Sequence, residues 1–393
     1  MPSPAEPLRL AFLGDPNSVH TRRWVTFFAE RGHRVHLLVA DDQPLEPGLH
    51  PAIHVERYRS YGARLRPRGA LRARRSLRRV LARARPDLLH AHYLTRFGWL
   101  ALLSGFRPLV VTVWGSDILL TPRRSAPAGL LARLILRRAA LVTGVSANLL
   151  AAARELGAAA DRLRVVQFGI DPAVFAPGPA SEALRQQLGL EGRRVVFAPR
   201  AVAPLYRPGI VVEALADLPE DVAGVFVERG ADSATLARLR VAIERRGLAG
   251  RVRFVGDLDE AAMAELFRLA DVVVSIPESD AFPATALEAM ACGRPLVLSD
   301  LPAAREGLAG LADPAFVATM LVPVGDAAAT RRAIMTALER PSAVAVELAG
   351  RLRTLALERA DRTRNLGGME EAYLEIARAG AGRRSGRTSR WIA

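Results

Sequence analysis

Two carboxylates stand eight residues apart in the stretch SDAFPATALEAMACGRPLVLSD (279–300). Asp280 precedes a turn, Ala281-Phe282-Pro283, and Glu288 falls about one turn into the helix-forming run ATALEAMA (284–291). Free backbone N–H groups at a helix start favour an anion. A carboxylate one turn further on can accept hydrogen bonds from a pair of hydroxyls, as on a ribose. Phosphate at the helix start with a carboxylate on the sugar describes a nucleotide site. A capped core helix with a surface acid would give the same pattern.

Other chemistry-bearing residues also sit where apolar runs end. Arg200 closes the run VVFAPR (195–200), and a guanidinium there can chelate phosphate oxygens in a planar, bidentate way. His90 and His92 form HAH at the end of PDLLHAHY (86–93), and alternation puts both on one side. His92 is nearer the carboxyl end and is the better candidate for a reacting site. The segment GDPNSVHT (14–21) follows the first apolar run, so Asn17, Ser18 and His20 are expected to face an acceptor. Asp-x-Asp in GDLDE (256–260) has the form of a metal-binding motif, but Asp259 directly precedes EAAMAELFRLA and reads as a helix N-cap.

The elements that must position these residues alternate. Strand-sized apolar runs fall at 8–13, 34–39, 87–91, 109–113, 140–144 and 163–166, then at 193–198, 223–227, 251–255, 271–275, 295–298 and 319–322. Helical segments separate them, which predicts parallel α/β sheets with ligands at the carboxyl ends of strands. GIDPAVFAPGPA (169–180) breaks the rhythm with proline and glycine. The expected organisation is an N-terminal domain over 1–170, a linker at 171–182 and a second domain over 183–342. Closing helices over 343–378 and a disordered basic tail at 379–393 follow.

Composition excludes some chemistry. All 55 Lys+Arg residues are arginine, so a P-loop lysine, a Schiff base and a lysine base are ruled out. There is no GxGxxG, which disfavours a nicotinamide dehydrogenase. Cys292 is the single cysteine, which fits a reducing compartment. Glu6 and the short first apolar run do not make a signal peptide, and arginines interrupt the most apolar stretches. A cytoplasmic location is therefore expected.

The net charge of +15 lies wholly in residues 1–180, which hold 27 Arg against 12 acids. Segment 57–85 has 12 Arg and no acid, and around Leu71, Leu77, Val80 and Leu81 it reads as a basic amphipathic helix. Such a helix can lie on an anionic bilayer at the inner face of the membrane, or can be a plain solvated face. Nucleic acid is not expected as a partner, since no RNA- or DNA-binding module accompanies the arginines.

The stretch 279–300 resembles the signature of retaining glycosyltransferases of family 4. These have the GT-B fold, two doubly wound Rossmann-like α/β domains facing across a cleft. Blocks 10–38, 86–93, 109–119, 141–149, 165–178, 195–215 and 251–275 resemble successive family blocks in the same order. The resemblance implies transfer of a sugar from a nucleotide-diphosphate donor to a hydroxyl of a glycan, glycolipid or small molecule, without metal or other cofactor. It implies that Glu288 holds the donor ribose, that Asp280 faces the sugar near its anomeric carbon, and that Arg200 contacts the diphosphate. Phe282, Ala284 and Thr285 belong to the same donor-side turn and helix start, and Gly256 would meet the base through its backbone. Asp280 stands where the family usually has Glu, Pro283 where it often has Gly, and Leu205 where it usually has Lys; Arg207 is the nearby replacement cation. Trp114 stands where members often carry His, so Asp117 or His92 would serve beside the reacting sugar. The departures leave two alternatives open: a nucleotide-sugar epimerase or hydrolase of the same fold, and a non-catalytic membrane-associated binding protein.

Overall fold

The computed structural model describes residues 7–61, 67–167, 169–256, 258–311 and 314–385. The chain divides into two compact units, Met1–Gln167 with Thr363–Ala393, and Phe168–Arg362.

The first unit is built on β1 (Arg9–Leu13), β2 (Arg34–Ala40), β3 (His54–Tyr58), β4 (Leu88–His92), β5 (Leu109–Val113), β6 (Leu141–Gly144) and β7 (Leu163–Val165). Their order is β3-β2-β1-β4-β5-β6-β7, and every pairing is parallel. The inner strands β4 and β5 are buried at every position, as a parallel sheet covered on both faces requires. Helix α1 (Val19–Glu30) turns Thr21, Trp24, Val25 and Phe28 inward, a spacing of three and four residues that makes one apolar face.

The second unit carries β8 (Arg194–Ala201), β9 (Val222–Val227), β10 (Val252–Val255), β11 (Val272–Ser275), β12 (Leu296–Ser299) and β13 (Leu321–Val322). Their order is β10-β9-β8-β11-β12-β13, again all parallel. In each sheet the strand order reverses once, between β1 and β4 and between β8 and β11. These reversals open a crevice at the carboxyl ends of the strands.

Two segments lie differently from their expected places. Residues 171–182 pack into the second unit, where Phe175 is fully buried with its ring 6.1 Å from that of Phe267. The closing helices split. Helix Ser342–Ala360 stays in the second unit because Leu348, Leu352 and Leu355 form a buried stripe on it. Helix Arg362–Ser385 belongs to the first unit, where Glu370 bonds His33 and Arg31, and Tyr373 bonds His90. That helix runs through 379–385, which were expected to be disordered; the rest of the tail, 386–393, lies outside the described residues.

Candidate functional site

In the second unit the reversal point gathers the acidic stretch and the arginine. Arg200 lies at the carboxyl end of β8, and Asp280 lies in the loop that follows β11. The strands are neighbours, and the Arg200 guanidinium reaches the Asp280 carboxylate at 2.9 Å. Burial pushes the Asp280 carboxyl up, and Arg200 and the Ala281 backbone pull it back only in part. Arg200 also sits over the ring of Tyr206, 4.2 Å from its centroid, a cation–π contact.

The loops around this pair are tied together. The Glu278 N–H donates to the Leu205 carbonyl, and the Ser299 hydroxyl donates to the Pro277 carbonyl. Arg207 has φ +47°, an unusual conformation for a residue with a side chain, and it precedes helix Pro208–Ala216. Its guanidinium meets Glu278 at 3.2 Å. It thus stands on the same loop pair as Arg200, although half its partner is in solvent.

Helix Ala284–Ala291 starts at Pro283 with no side-chain cap. Its first amides therefore remain for an anion, and the buried Thr285 hydroxyl has no hydrogen-bond partner among the described residues. Glu288 is 4% exposed inside the same helix. Phe282 does not offer its ring. The ring is 1% exposed and packs on Gly307, where an added Cβ would come within 2.2 Å of it, so Phe282 anchors the turn and leaves only its backbone to a ligand. Gly256 follows β10 at the sheet edge with open space where a Cβ would stand. Asp259 caps helix Glu260–Leu269 by accepting the Ala262 N–H at 2.8 Å, as its place in the sequence predicts.

In the first unit the corresponding end of the sheet assembles a ring cluster. His20, at the start of α1, lies 4.9 Å from Trp114 between centroids, and Trp114 lies 5.5 Å from His92. Gly14 lets the first turn of α1 pack close to the end of β1, since a Cβ there would fall 2.9 Å from the Thr21 hydroxyl. Neither ring nitrogen of His92 has a hydrogen-bond partner among the described residues, and burial lowers its pKa to about 3. It is a neutral imidazole. His90 is committed to structure: its ring bonds the Tyr373 and Thr112 hydroxyls.

Three expected acceptor residues differ in what they offer. Asp117 is fully buried. Its carboxylate accepts the backbone N–H groups of Leu94, Trp114 and Gly115 at 2.7–2.9 Å, so it joins the ends of β4 and β5 and positions Trp114 instead of reaching a ligand. The Asn17 amide is spent on the 44–46 loop, accepting the Glu46 N–H at 3.0 Å and donating to the Pro44 carbonyl. Ser18 occupies the N-cap position of α1, but its hydroxyl makes no cap bond.

The Arg-rich helix Pro67–Ala84 is amphipathic, but its apolar face is already used except at Leu71, which stays exposed. Ala73, Leu77, Val80, Leu81 and Ala84 are buried in the first unit, leaving Arg72, Arg74, Arg75, Arg78, Arg79 and Arg83 outward. Insertion of that apolar face into a bilayer is therefore replaced by a guanidinium surface. Among the described residues no helix is long and apolar enough to cross a membrane.

Sequence reasoning did not single out Tyr206. Its one signal was its place in the loop after β8, beside Arg200 and Arg207.

Two doubly wound parallel units of this order constitute the GT-B fold. Anabaena Alr3699/HepE, solved in complex with UDP and glucose, is similar at a TM-score of 0.77 and 23% identity, over 93% of this chain and 99% of that one. Sucrose-phosphate synthase from Thermosynechococcus elongatus is similar at a TM-score of 0.78 and 22% identity, over 94% and 99%. The family described as Glycosyl transferase 4-like matches residues 9–146, and that described as Glycosyl transferases group 1 matches residues 180–354. Between them these matches take in both sites, and the chain belongs to the family-4 type of GT-B glycosyltransferases. D-inositol 3-phosphate glycosyltransferase of Jonesia denitrificans is 35% identical over 55% of this chain and 56% of its own length. The protein of the same name from Acidothermus cellulolyticus is 34% identical over 39% and 38%. The chain thus spans about half, or less, of the curated relatives it matches.

Proposed function

We propose that this chain is a retaining glycosyltransferase that takes a sugar from a nucleotide-diphosphate donor and passes it to an acceptor hydroxyl. The observation that carries this reading is the convergence of Arg200, Asp280 and an uncapped helix start at the reversal point of the second sheet. Arg200 and the amides of Ala284 and Thr285 stabilise the departing diphosphate, which needs fixed positive charge as the sugar bond breaks. Arg207 takes the place of the second cation. Glu288 accepts from the ribose hydroxyls, and Asp280 faces the sugar. Ser18, His20, Trp114 and His92 belong to the acceptor side, with neutral His92 as a hydrogen-bonding group. The relatives' name makes a phosphorylated polyol the first small acceptor to try, beside glycan and lipid-linked hydroxyls. The arginine face of helix Pro67–Ala84 would let the protein adsorb at an anionic membrane by charge alone.

The test is donor turnover. UDP-, GDP- and ADP-sugars are offered with and without inositol 3-phosphate, and release of nucleoside diphosphate is followed. Release that depends on acceptor and disappears in Glu288→Ala supports the reading. Release without any acceptor would favour a hydrolase, and binding without release would favour a non-catalytic protein.

A further inference from the structure

The amino-terminal end of the first sheet, opposite the end that carries Gly14, His92 and Trp114, holds a cavity of about 1180 Å³. Pro108 and Leu109, where β5 begins, and Ala140, just before β6, lie on its floor. Four arginines from four separate segments surround it: Arg78, Arg107, Arg138 and Arg162. Glu375 is the one acid on its wall among the described residues. Arg162 is fixed there by donation to the Ala139 carbonyl at 3.2 Å. Arg78 and Arg138 have no carboxylate partner among the described residues.

Between these charges the wall is apolar, with Phe106 and Ile376 facing the space. Arg78 and Arg138 thus put positive charge on the wall that a bound anion would neutralise. The volume is that of a site for an organic ligand, far more than a bare phosphate fills. Arg78 also continues the outward arginine row of helix Pro67–Ala84, so a positive surface leads up to the cavity mouth.

We propose that this cavity is a binding site for an anionic amphiphile, with the phosphate head at the arginines and a hydrocarbon chain against Phe106 and Ile376. It is separate from the donor and acceptor sites and does not depend on the transferase reading. It gives the arginine surplus of the first unit a bound partner of defined size instead of a diffuse one.

The test is calorimetric titration of the full chain with lysophosphatidylglycerol below its micelle concentration. Glycerol 3-phosphate supplies the head alone, and lysophosphatidylcholine supplies the chain without net charge. The expected result is one saturable site that binds the first ligand roughly tenfold or more above either comparator. Arg107→Glu with Arg138→Glu should weaken it by a similar factor. Ala82→Trp, at an exposed position on the wall, should block it by filling the space. Arg72→Glu with Arg75→Glu, on the same helix but outside the cavity, should leave it unchanged. Equal binding of glycerol 3-phosphate or of lysophosphatidylcholine would overturn the proposal, as would absence of a saturable site. Loss in the Arg72/Arg75 variant equal to that in Arg107/Arg138 would also overturn it, by reducing the effect to adsorption on the helix. If Ala82→Trp does not fold, the two charge-reversal pairs still decide.

Discussion

Arg200 and Asp280 lie 80 positions apart in sequence and 2.9 Å apart in space, with both side chains largely buried. In the proposed reaction they serve different atoms, one the diphosphate and the other the sugar. Here each is the other's counter-ion, and Tyr206 closes a third side of the guanidinium. A buried charge that loses its partner is costly, so a donor must supply the replacement as it parts them.

Asp280→Asn removes the competitor and keeps the shape. Nucleoside diphosphate should then bind roughly tenfold more tightly, the equivalent of about 1.4 kcal/mol, while sugar transfer falls. Titration calorimetry with the diphosphate and a transfer assay give the two arms. Weaker binding of the diphosphate would mean that Asp280 positions Arg200 for it and does not compete.

Glu288 makes a sharper claim about location. A ligand at a hundred times its dissociation constant stabilises a protein by about 2.7 kcal/mol, enough for a clear rise in melting temperature. A panel of UDP, GDP and ADP should single out one nucleotide on the parent chain. Glu288→Ala should erase most of that rise, measured against the variant's own melting temperature without nucleotide. A rise that survives would move the ribose away from this helix.

Tyr206 tests whether the arginine is held from its face. A desolvated cation–π contact contributes up to about 2 kcal/mol. Tyr206→Ala should therefore weaken diphosphate binding by up to about thirtyfold, whereas Tyr206→Phe should keep most of it. Equal loss in both would assign the effect to the hydroxyl.

How far the sequence reaches depends on the range of each signal. Both sheets are legible because a strand buried on both faces reads as an unbroken apolar run, as in LVVTV (109–113). Strand β3, HVERY, gives no such run. It is an edge strand whose side chains are mostly solvent-facing, so its pairing with β2 is invisible locally. The helix start at Ala284 and the cap at Asp259 are also local and can be read directly. The engagement of Asp117 by three backbone N–H groups is not, because two of the donors follow β5 and the third follows β4. The same holds for helix Pro67–Ala84: its periodicity shows an apolar stripe, but only the fold shows that Leu77, Val80 and Leu81 are covered while Leu71 is not. Phe175 looks like part of a linker until Phe267 is placed against it.

Glu370 links the returning helix to pH. Burial alone would raise its carboxyl, but hydrogen bonds from Arg31 and His33 outweigh this and hold it below the ordinary value. A depressed folded value means the contact stabilises fully above the ordinary carboxylate range, and that stability is lost as pH falls through the folded value. Acid unfolding should therefore begin by releasing helix Arg362–Ser385. Glu370→Gln should unfold at about 3 kcal/mol less cost at neutral pH and lose much of the acid-dependent slope. Hydrogen exchange of that helix against pH distinguishes this from uniform acid unfolding.

His92 gives a prediction about the chemistry itself. With its pKa lowered to about 3 by burial, it carries no proton charge anywhere in the physiological range. A proton shuttle would need to titrate near the working pH. A neutral imidazole can still donate from one nitrogen and accept at the other. The His92 ring resonance should thus stay flat from pH 8 to about 5, and the transfer rate should show no inflection that Asn at this position removes. His92→Asn keeps one donor and one acceptor and should retain more activity than His92→Phe, which keeps neither. An inflection near neutral pH that vanishes in His92→Asn would instead mean that the ring takes up a proton during turnover, against the cost of its burial.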